Sequence, residues 1–403
     1  MTNSVKIFND PVYGFVSFPK PSLLLDIIDH PYFQRLRRIA QTALTYYVYP
    51  GAHHTRFHHA IGAYHLMTQA IEVLRQKGVD ITSEEAEGVC LAILLHDIGH
   101  GPFSHALEHT IIDVHHEELS IMFMEALNEE FEGKLTTAIT IFQDKYPKHF
   151  LHQLVSGQLD MDRLDYLNRD SFYTGVSEGV IGYDRIIKML NVHNGELVVE
   201  EKGIYSIEKF LISRRLMYWQ VYLHKAVLSS EQMLINVLKR AKELNTEGIP
   251  VETFGSLNFF FKQTKTLHTN DHNTIIEQFA KLDDFDIIAS LKLWTNHPDF
   301  TLSFLAKSIL NRKLFKLEWQ NMPFERDYIE TIRQRIISYI PSKTNINYFV
   351  FTGMESNQTY NKTKEEIKIL FKDGSVKSIT ESMDYELHSK IIRKHFLCYA
   401  KNF

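Results

Sequence analysis

One stretch limits what this chain can fold into before any count is made. Residues 87–101, EGVCLAILLHDIGHG, run from an uninterrupted apolar segment, Val89–Leu95, straight into His96, Asp97 and two glycines. An apolar run with no polar face reads as a helix buried on all sides. Ser83 ahead of two glutamates has the form of an N-cap with an acidic first turn. Gly99, Gly101 and Pro102 end the helix, which places His96 and Asp97 in its last turn. That end of a helix carries partial negative charge and modestly favours a cation. A neutral imidazole beside a carboxylate is also a good mixed ligand pair for a first-row divalent metal, although an isolated His-Asp pair is more often a satisfied core histidine beside a salt-bridged aspartate.

The rest of the chain supplies helices to surround it. From residue 21 to about 190 helical periodicity dominates. In HHAIGAYHLMTQAIEVLRQKG the apolar positions Ile61, Tyr64, Met67, Ile71 and Leu74 recur at helical spacing, and Gly78 follows as a C-cap. Residues 4–18 alternate β-formers around an Asn-Asp-Pro turn and predict a strand or hairpin. ELVVEEKGIYSI, 196–207, predicts a β-hairpin, and helices resume from there to about 340. In the last segment NINYFVFTG and EIKILFKDGSVKSIT are strand patterns, the second turning at Asp373-Gly374. The expected architecture is mainly α: an N-terminal strand or hairpin (1–20), a helical body bearing the site (21–190), a helical extension completing the pocket (191–340) and a small α+β C-terminal region (341–403).

Two further segments offer partners for His96-Asp97. TRFHHAIGAYH presents His58 and His59 at the start of an amphipathic helix, just after Arg56. GQLDMDRLDYLNRDSFYTG carries Asp160, Asp162, Asp165 and Asp170, with Asp162, Tyr166, Asp170 and Tyr173 on one helical face at spacings of four, four and three. Four acidic residues in eleven are often only a solvated face. Here Leu159, Leu164 and Leu167 cover the opposite side, so the acidic face can line a pocket instead.

Composition narrows the class. The chain has 403 residues, 44% hydrophobic and 23% charged, ordinary globular usage rather than disorder. A formal charge of −5 argues against a nucleic-acid partner. Cys90 and Cys398 are far apart and neither has a CxxC partner, which fits a reducing cytoplasm. No apolar run approaches the ~20 residues needed to cross a bilayer, and the N-terminus lacks the pattern of a signal peptide. Histidine is the outlier, with 21 copies against 18 glycines. No Walker-type phosphate loop is present.

The order His59, His96-Asp97, Asp162, with HDIGHGPFSH around the pair, resembles the HD-domain metal-dependent phosphohydrolases. More narrowly it resembles the deoxynucleoside triphosphate triphosphohydrolases, the group that includes the enzyme with a sterile alpha motif beside its HD domain. FNDPVYG, PYFQRLRRIAQ, YYVYPGAHHTRFHHAIG, HHEELS, LDMDRLDYLNRDSFYTG, YLHKAV and ILFKDGSVK stand in the family's order. The resemblance implies that His59, His96, Asp97 and Asp162 ligate a divalent metal (Mn, Fe, Mg, Zn or Ni), with His58 as a neighbour that does not. It implies that His100, His105, His116 and Glu117 orient water and supply protons, with Glu108 as acidic partner. Gln41 would lie near sugar and base, Arg56, Arg163 and Arg214 on the phosphates, Tyr166 and Asp170 at the deoxyribose, and Tyr222 in the pocket wall.

The implied reaction is hydrolysis of a dNTP to deoxynucleoside and inorganic triphosphate. Activation by GTP or a dNTP at Lys6, Asp29, Gln34 and Arg37, with Arg312 and Lys316 as a phosphate-binding supplement, and assembly into a dimer or tetramer are implied as well. VVEEKG is acidic where regulated members are basic. Two alternatives stand beside this reading: another HD phosphohydrolase acting on a nucleoside monophosphate, cyclic nucleotide or alarmone, and a non-catalytic nucleotide- or nucleic-acid-binding regulator.

Overall fold

The computed structural model describes residues 4–103, 108, 110–112, 114–262, 272–357, 360, 365–384 and 391–401. The helices of the body are α1 (Leu23–Asp29), α2 (Pro31–Gln34), α3 (Arg56–Gln76), α4 (Ser83–Leu95), α5 (His116–Glu130), α6 (Thr136–Phe142), α7 (His149–Val155), α8 (Met161–Thr174), α9 (Tyr183–Met189), α10 (Ile204–Met217) and α11 (Lys225–Thr246). The strands are β1 (Ser4–Asp10), β2 (Gly14–Lys20), β3 (Leu190–His193), β4 (Glu196–Glu200), β5 (Lys316–Gln320), β6 (Val350–Asn357), β7 (Lys368–Leu370), β8 (Val376–Ser378) and β9 (Ile392–Tyr399). The protein is mainly helical, with an N-terminal hairpin and a small strand-rich C-terminal region.

α4 is the buried centre. Gly88 through Leu95 are all buried, under α3, α6 and α7. Each fully buried Leu or Ile there contributes roughly 1.5–3 kcal/mol, so this run alone locks the helix in place. Its cap is one residue earlier than expected. The Thr82 hydroxyl accepts the Glu85 N–H at 3.1 Å, and the Glu85 carboxylate accepts the Thr82 N–H at 2.8 Å, so Ser83 is the first helical residue rather than the cap.

Two strand expectations are corrected. The hairpin is β3–β4, turning at Asn194-Gly195 with φ of 52° and 80°, and residues 201–203 form a 3₁₀ turn that leads into α10 at Ile204. Asn-Gly supplies the two left-handed positions that such a turn requires. Within the stretch expected to stay helical to about 340, Lys316–Gln320 is strand β5, because β9 offers it a ladder from far along the chain. The turn at Asp373-Gly374 does join β7 to β8.

The C-terminal strands are built into sheets begun earlier in the chain. β7 pairs in parallel with β4, giving the order β3-β4-β7-β8, and β9 lies between β5 and β6.

α3 crosses α8 at Gly62. A Cβ at this position would come within 2.0 Å of the Arg169 guanidinium and 2.1 Å of the Asp165 carboxylate, both wholly buried. Gly62→Ala is therefore expected to cost about 1–3 kcal/mol through overpacking, read as a lowered urea midpoint with an unchanged m-value.

Candidate active site

α3, α4 and α8 bring four side chains together at one point. His59 Nε2 lies 3.2 Å from His96 Nε2 and 3.1 Å from Asp162 Oδ1, and His96 Nε2 lies 3.5 Å from the same oxygen. Asp97 closes the group, with oxygens 3.5 Å from His96 Nε2 and 3.7 Å from His59 Nε2. Ligand atoms about 2.1 Å from a cation sit about 3 Å apart in neighbouring positions, so two imidazoles and two carboxylates at these spacings fit a divalent metal.

The outer contacts set the imidazoles for that role. His59 Nδ1 meets Asp165 Oδ2 at 2.7 Å, and His96 Nδ1 donates to the Ile93 carbonyl at 2.6 Å. Each Nδ1 therefore keeps a hydrogen, and loss of the other proton frees Nε2 toward the centre. Asp165 is itself held by Arg169, whose other nitrogen bonds Asp10 at 2.8 Å. Burial alone would lower the His59 pKa, but hydrogen bonds to Asp162 and Asp165 outweigh it and raise it to about 10. Burial likewise opposes charge on His96, yet Asp97 and Asp162 raise its pKa. The pocket thus favours positive charge, and a cation must displace protons to enter.

A second cluster of charged and imidazole side chains adjoins this centre. The Arg56 guanidinium bonds Asp97, and His100 Nε2 lies 3.3 Å from the other oxygen of that carboxylate. His100 stacks on His116 with centroids 3.9 Å apart, and His116 Nδ1 bonds Glu108 at 2.7 Å. Burial, with Arg56 nearby, lowers the His100 pKa to about 3, so this ring is neutral at pH 7. Arg163 is braced by Asp160, the buried N-cap of α8, which also accepts the Arg163 N–H at 2.7 Å.

A cavity of about 720 Å³ opens from this cluster. Gln41, Arg56, Arg163 and Arg214 line it, as do Tyr166, Asp170 and Tyr222. Asp170 is clamped between His54 Nε2 and the Tyr222 hydroxyl, each at 2.6 Å, and His54 stacks on Tyr173.

All four expected ligands and all seven expected substrate residues converge here. His58 faces away, its Nδ1 accepting the Thr55 N–H at 3.2 Å. His105 lies outside the described residues. Glu117 is corrected: its side chain is 68% exposed beside His115 and is not part of the cavity wall. Lys6, Asp29, Gln34 and Arg37 share another surface, where Arg37 bonds Gln34 at 2.9 Å, feels the Asp29 charge and stacks on Phe57. Lys6 reaches that patch over Phe8, which packs on Phe57. Arg312 and Lys316 are engaged elsewhere, with the Tyr47 carbonyl and Glu318. Sequence reasoning assigned no role to His54, Asp165 as orienter of His59, or Asp160 as brace of Arg163. The spacing of Asp165 and Arg169 at i, i+4 was a signal for the second of these.

The HD domain profile matches residues 56–169, and the HD associated region matches 181–254. The uncharacterized protein YwfO of Bacillus subtilis is 34% identical over 320 residues, covering 77% of this chain and 71% of that one. A phosphohydrolase of Bacteroides thetaiotaomicron, solved by crystallography, has a TM-score of 0.94 and 51% identity, covering 99% of this chain and 100% of its own. The chain belongs to the HD-domain phosphohydrolases. HD domains bind divalent metals, and among the described residues His59, His96 and Asp162 form one of the groups that could hold one. A deoxynucleoside triphosphate triphosphohydrolase SAMHD1 homolog of Dictyostelium discoideum is 33% identical over 260 residues, covering 60% of this chain and 50% of its own length.

Asp162→Ala is expected to abolish metal retention, measured by elemental analysis. Asp165→Asn is expected to weaken metal affinity by roughly 10–100-fold while leaving all four ligands in place. Because His59 must lose its proton to ligate, affinity is expected to rise with pH up to about 10, checked by competition with a metal buffer across that range.

Proposed function

We propose that this phosphohydrolase cleaves deoxynucleoside triphosphates to deoxynucleoside and inorganic triphosphate. The supporting observation is that one cavity joins the ligand cluster and three arginines to the Tyr166, Asp170, Tyr222 wall. A triphosphate carries several negative charges, and Arg56, Arg163 and Arg214 neutralise them so that water can approach phosphorus. When bound, a divalent cation supplies Lewis-acid charge against the phosphoryl oxygens.

The remaining work falls to side chains. His116, oriented through Nδ1 by Glu108, delivers a proton from Nε2 to the leaving 5′-oxygen as water attacks the α-phosphorus. Neutral His100 donates from Nε2 to Asp97 and, by stacking, holds the His116 ring in line. Asp170, fixed from two sides, accepts the 3′-hydroxyl, while Tyr166 closes the space a 2′-hydroxyl would need.

Metal-loaded protein is expected to release triphosphate from dNTPs and not from NTPs, read by product chromatography. Phosphate or pyrophosphate alone would point to another HD phosphohydrolase chemistry, and no turnover to a binding role. Tyr166→Ala is expected to erode the dNTP over NTP preference by about 10-fold or more. The Lys6, Asp29, Gln34, Arg37 surface is the proposed effector site for GTP or a dNTP in a homo-oligomer, so GTP is expected to raise the rate in wild type and not in Arg37→Ala. No helix among the described residues is long and apolar enough to cross a membrane, and the proposed setting is the cytoplasm.

A further inference from the structure

The cavity does not end at the sugar-facing residues. Tyr222 is followed at once by Leu223 and then by α11, whose Leu228, Glu231, Gln232 and Ile235 present one helical face to the same space. Opposite in chain order, β6 of the C-terminal sheet contributes Glu355. This wall differs in chemistry from the phosphate end. It carries carboxylates and an amide set among aliphatic side chains, whereas the phosphate end carries guanidinium groups and metal ligands.

Glu355 makes no hydrogen bond or ion pair with any described residue. Lys394, its cross-strand partner on β9, places its ammonium 4.0 Å from the centroid of the Trp219 ring instead. Burial raises the Glu355 carboxyl above the ordinary glutamate value, and a hydrogen-bond donor brought by a ligand would stabilise its charged form. Two polar atoms elsewhere on the cavity wall, Gln41 Oε1 and the hydroxyl of the buried Thr42, are buried without a hydrogen-bond partner among the described residues. Buried polar atoms without partners are costly, and a wall that holds several is shaped for a polar ligand.

The bases differ in what they show a carboxylate. Guanine presents N1–H and the 2-amino group side by side, two donors matching two oxygens. Adenine and cytosine present one amino group next to a ring acceptor, and thymine presents one N–H between two carbonyls. A carboxylate with no cation paired to it among the described residues therefore attracts guanine and repels the thymine edge. The same negative charge turns the triphosphate toward the arginine end.

We propose that Glu355 is a specificity-determining residue that accepts the N1–H and 2-amino donors of a guanine held at the α11 end of the cavity. This rests on the dNTP reading above. The C-terminal sheet then has a role in substrate choice, because β9 holds β6 against the body and β6 carries the reading group.

The test is the ratio of kcat/KM for dGTP to kcat/KM for dTTP, measured by triphosphate release with metal-loaded wild type, Glu355→Gln and Glu355→Ala. The wild-type ratio is expected to favour dGTP, and Glu355→Gln to lower it by roughly 10–100-fold, the range of one lost bidentate base contact. Glu355→Ala is expected to lower it as well. Metal content and melting temperature, recorded for each variant, separate this from a folding defect, which would lower both substrates together. A parallel loss for dGTP and dTTP, or an unchanged ratio, overturns the assignment of Glu355 while leaving the dNTP reading intact. Absence of dNTP turnover by wild type overturns that reading and this assignment with it.

Discussion

The buried chain Asp10, Arg169, Asp165, His59 is the contact on which the rest of the site depends. Arg169 lies between two carboxylates with none of the four side chains appreciably exposed, and Asp165 passes the alignment on to the His59 ring. Burying such groups is expensive, and breaking one partner of a buried pair typically costs about 3–5 kcal/mol. The arrangement survives because every member is satisfied and because Gly62 lets α3 approach α8 closely enough for the carboxylate to reach the imidazole. It ties the N-terminal hairpin to the site, since Asp10 closes β1.

From that anchor the cavity divides by charge. Its negative centre, made by Asp97 and Asp162 against two imidazoles, suits a cation. Around it Arg56 and Arg163 are held by Asp97 and Asp160, so their guanidinium groups are fixed in place without a ligand. Preformed positive charge of this kind costs no reorganisation at the moment of reaction. Farther along, Asp170 and then Glu231 and Glu355 return the wall to negative. The proposed nucleotide substrate is dipolar in the same sense, with anionic phosphates at one end and base donors at the other, which is the direction the proposal gives it.

Much of this was legible in sequence because local pattern and local structure coincide in α3, α4 and α8. A run such as Val89–Leu95 has nowhere to go but inside, and the helix end then delivers His96 and Asp97 at a predictable place. The face Asp162, Tyr166, Asp170 follows from helical geometry alone, and all three residues do line the cavity. Tyr173, on the same face by spacing, stacks on His54 instead, because one further turn carries it past the cavity rim. The strand errors have a different origin. β5 looks helical because its partner, β9, lies more than seventy residues away, and no short window contains both halves of a ladder.

The sequence by itself determined the helical class and the N-terminal hairpin, since each depends on pattern within a few turns, while the expected ligand set and cavity residues came from resemblance to a family whose motifs lie far apart in the chain. Tertiary structure alone decided that Glu117 faces solvent, that His54 clamps Asp170, that Asp165 orients His59, and that a glutamate from the C-terminal sheet enters the cavity. These are choices of partner between segments up to hundreds of residues apart. They depend on which carboxylate is buried against which cation or ring, and periodicity along one helix carries no record of that.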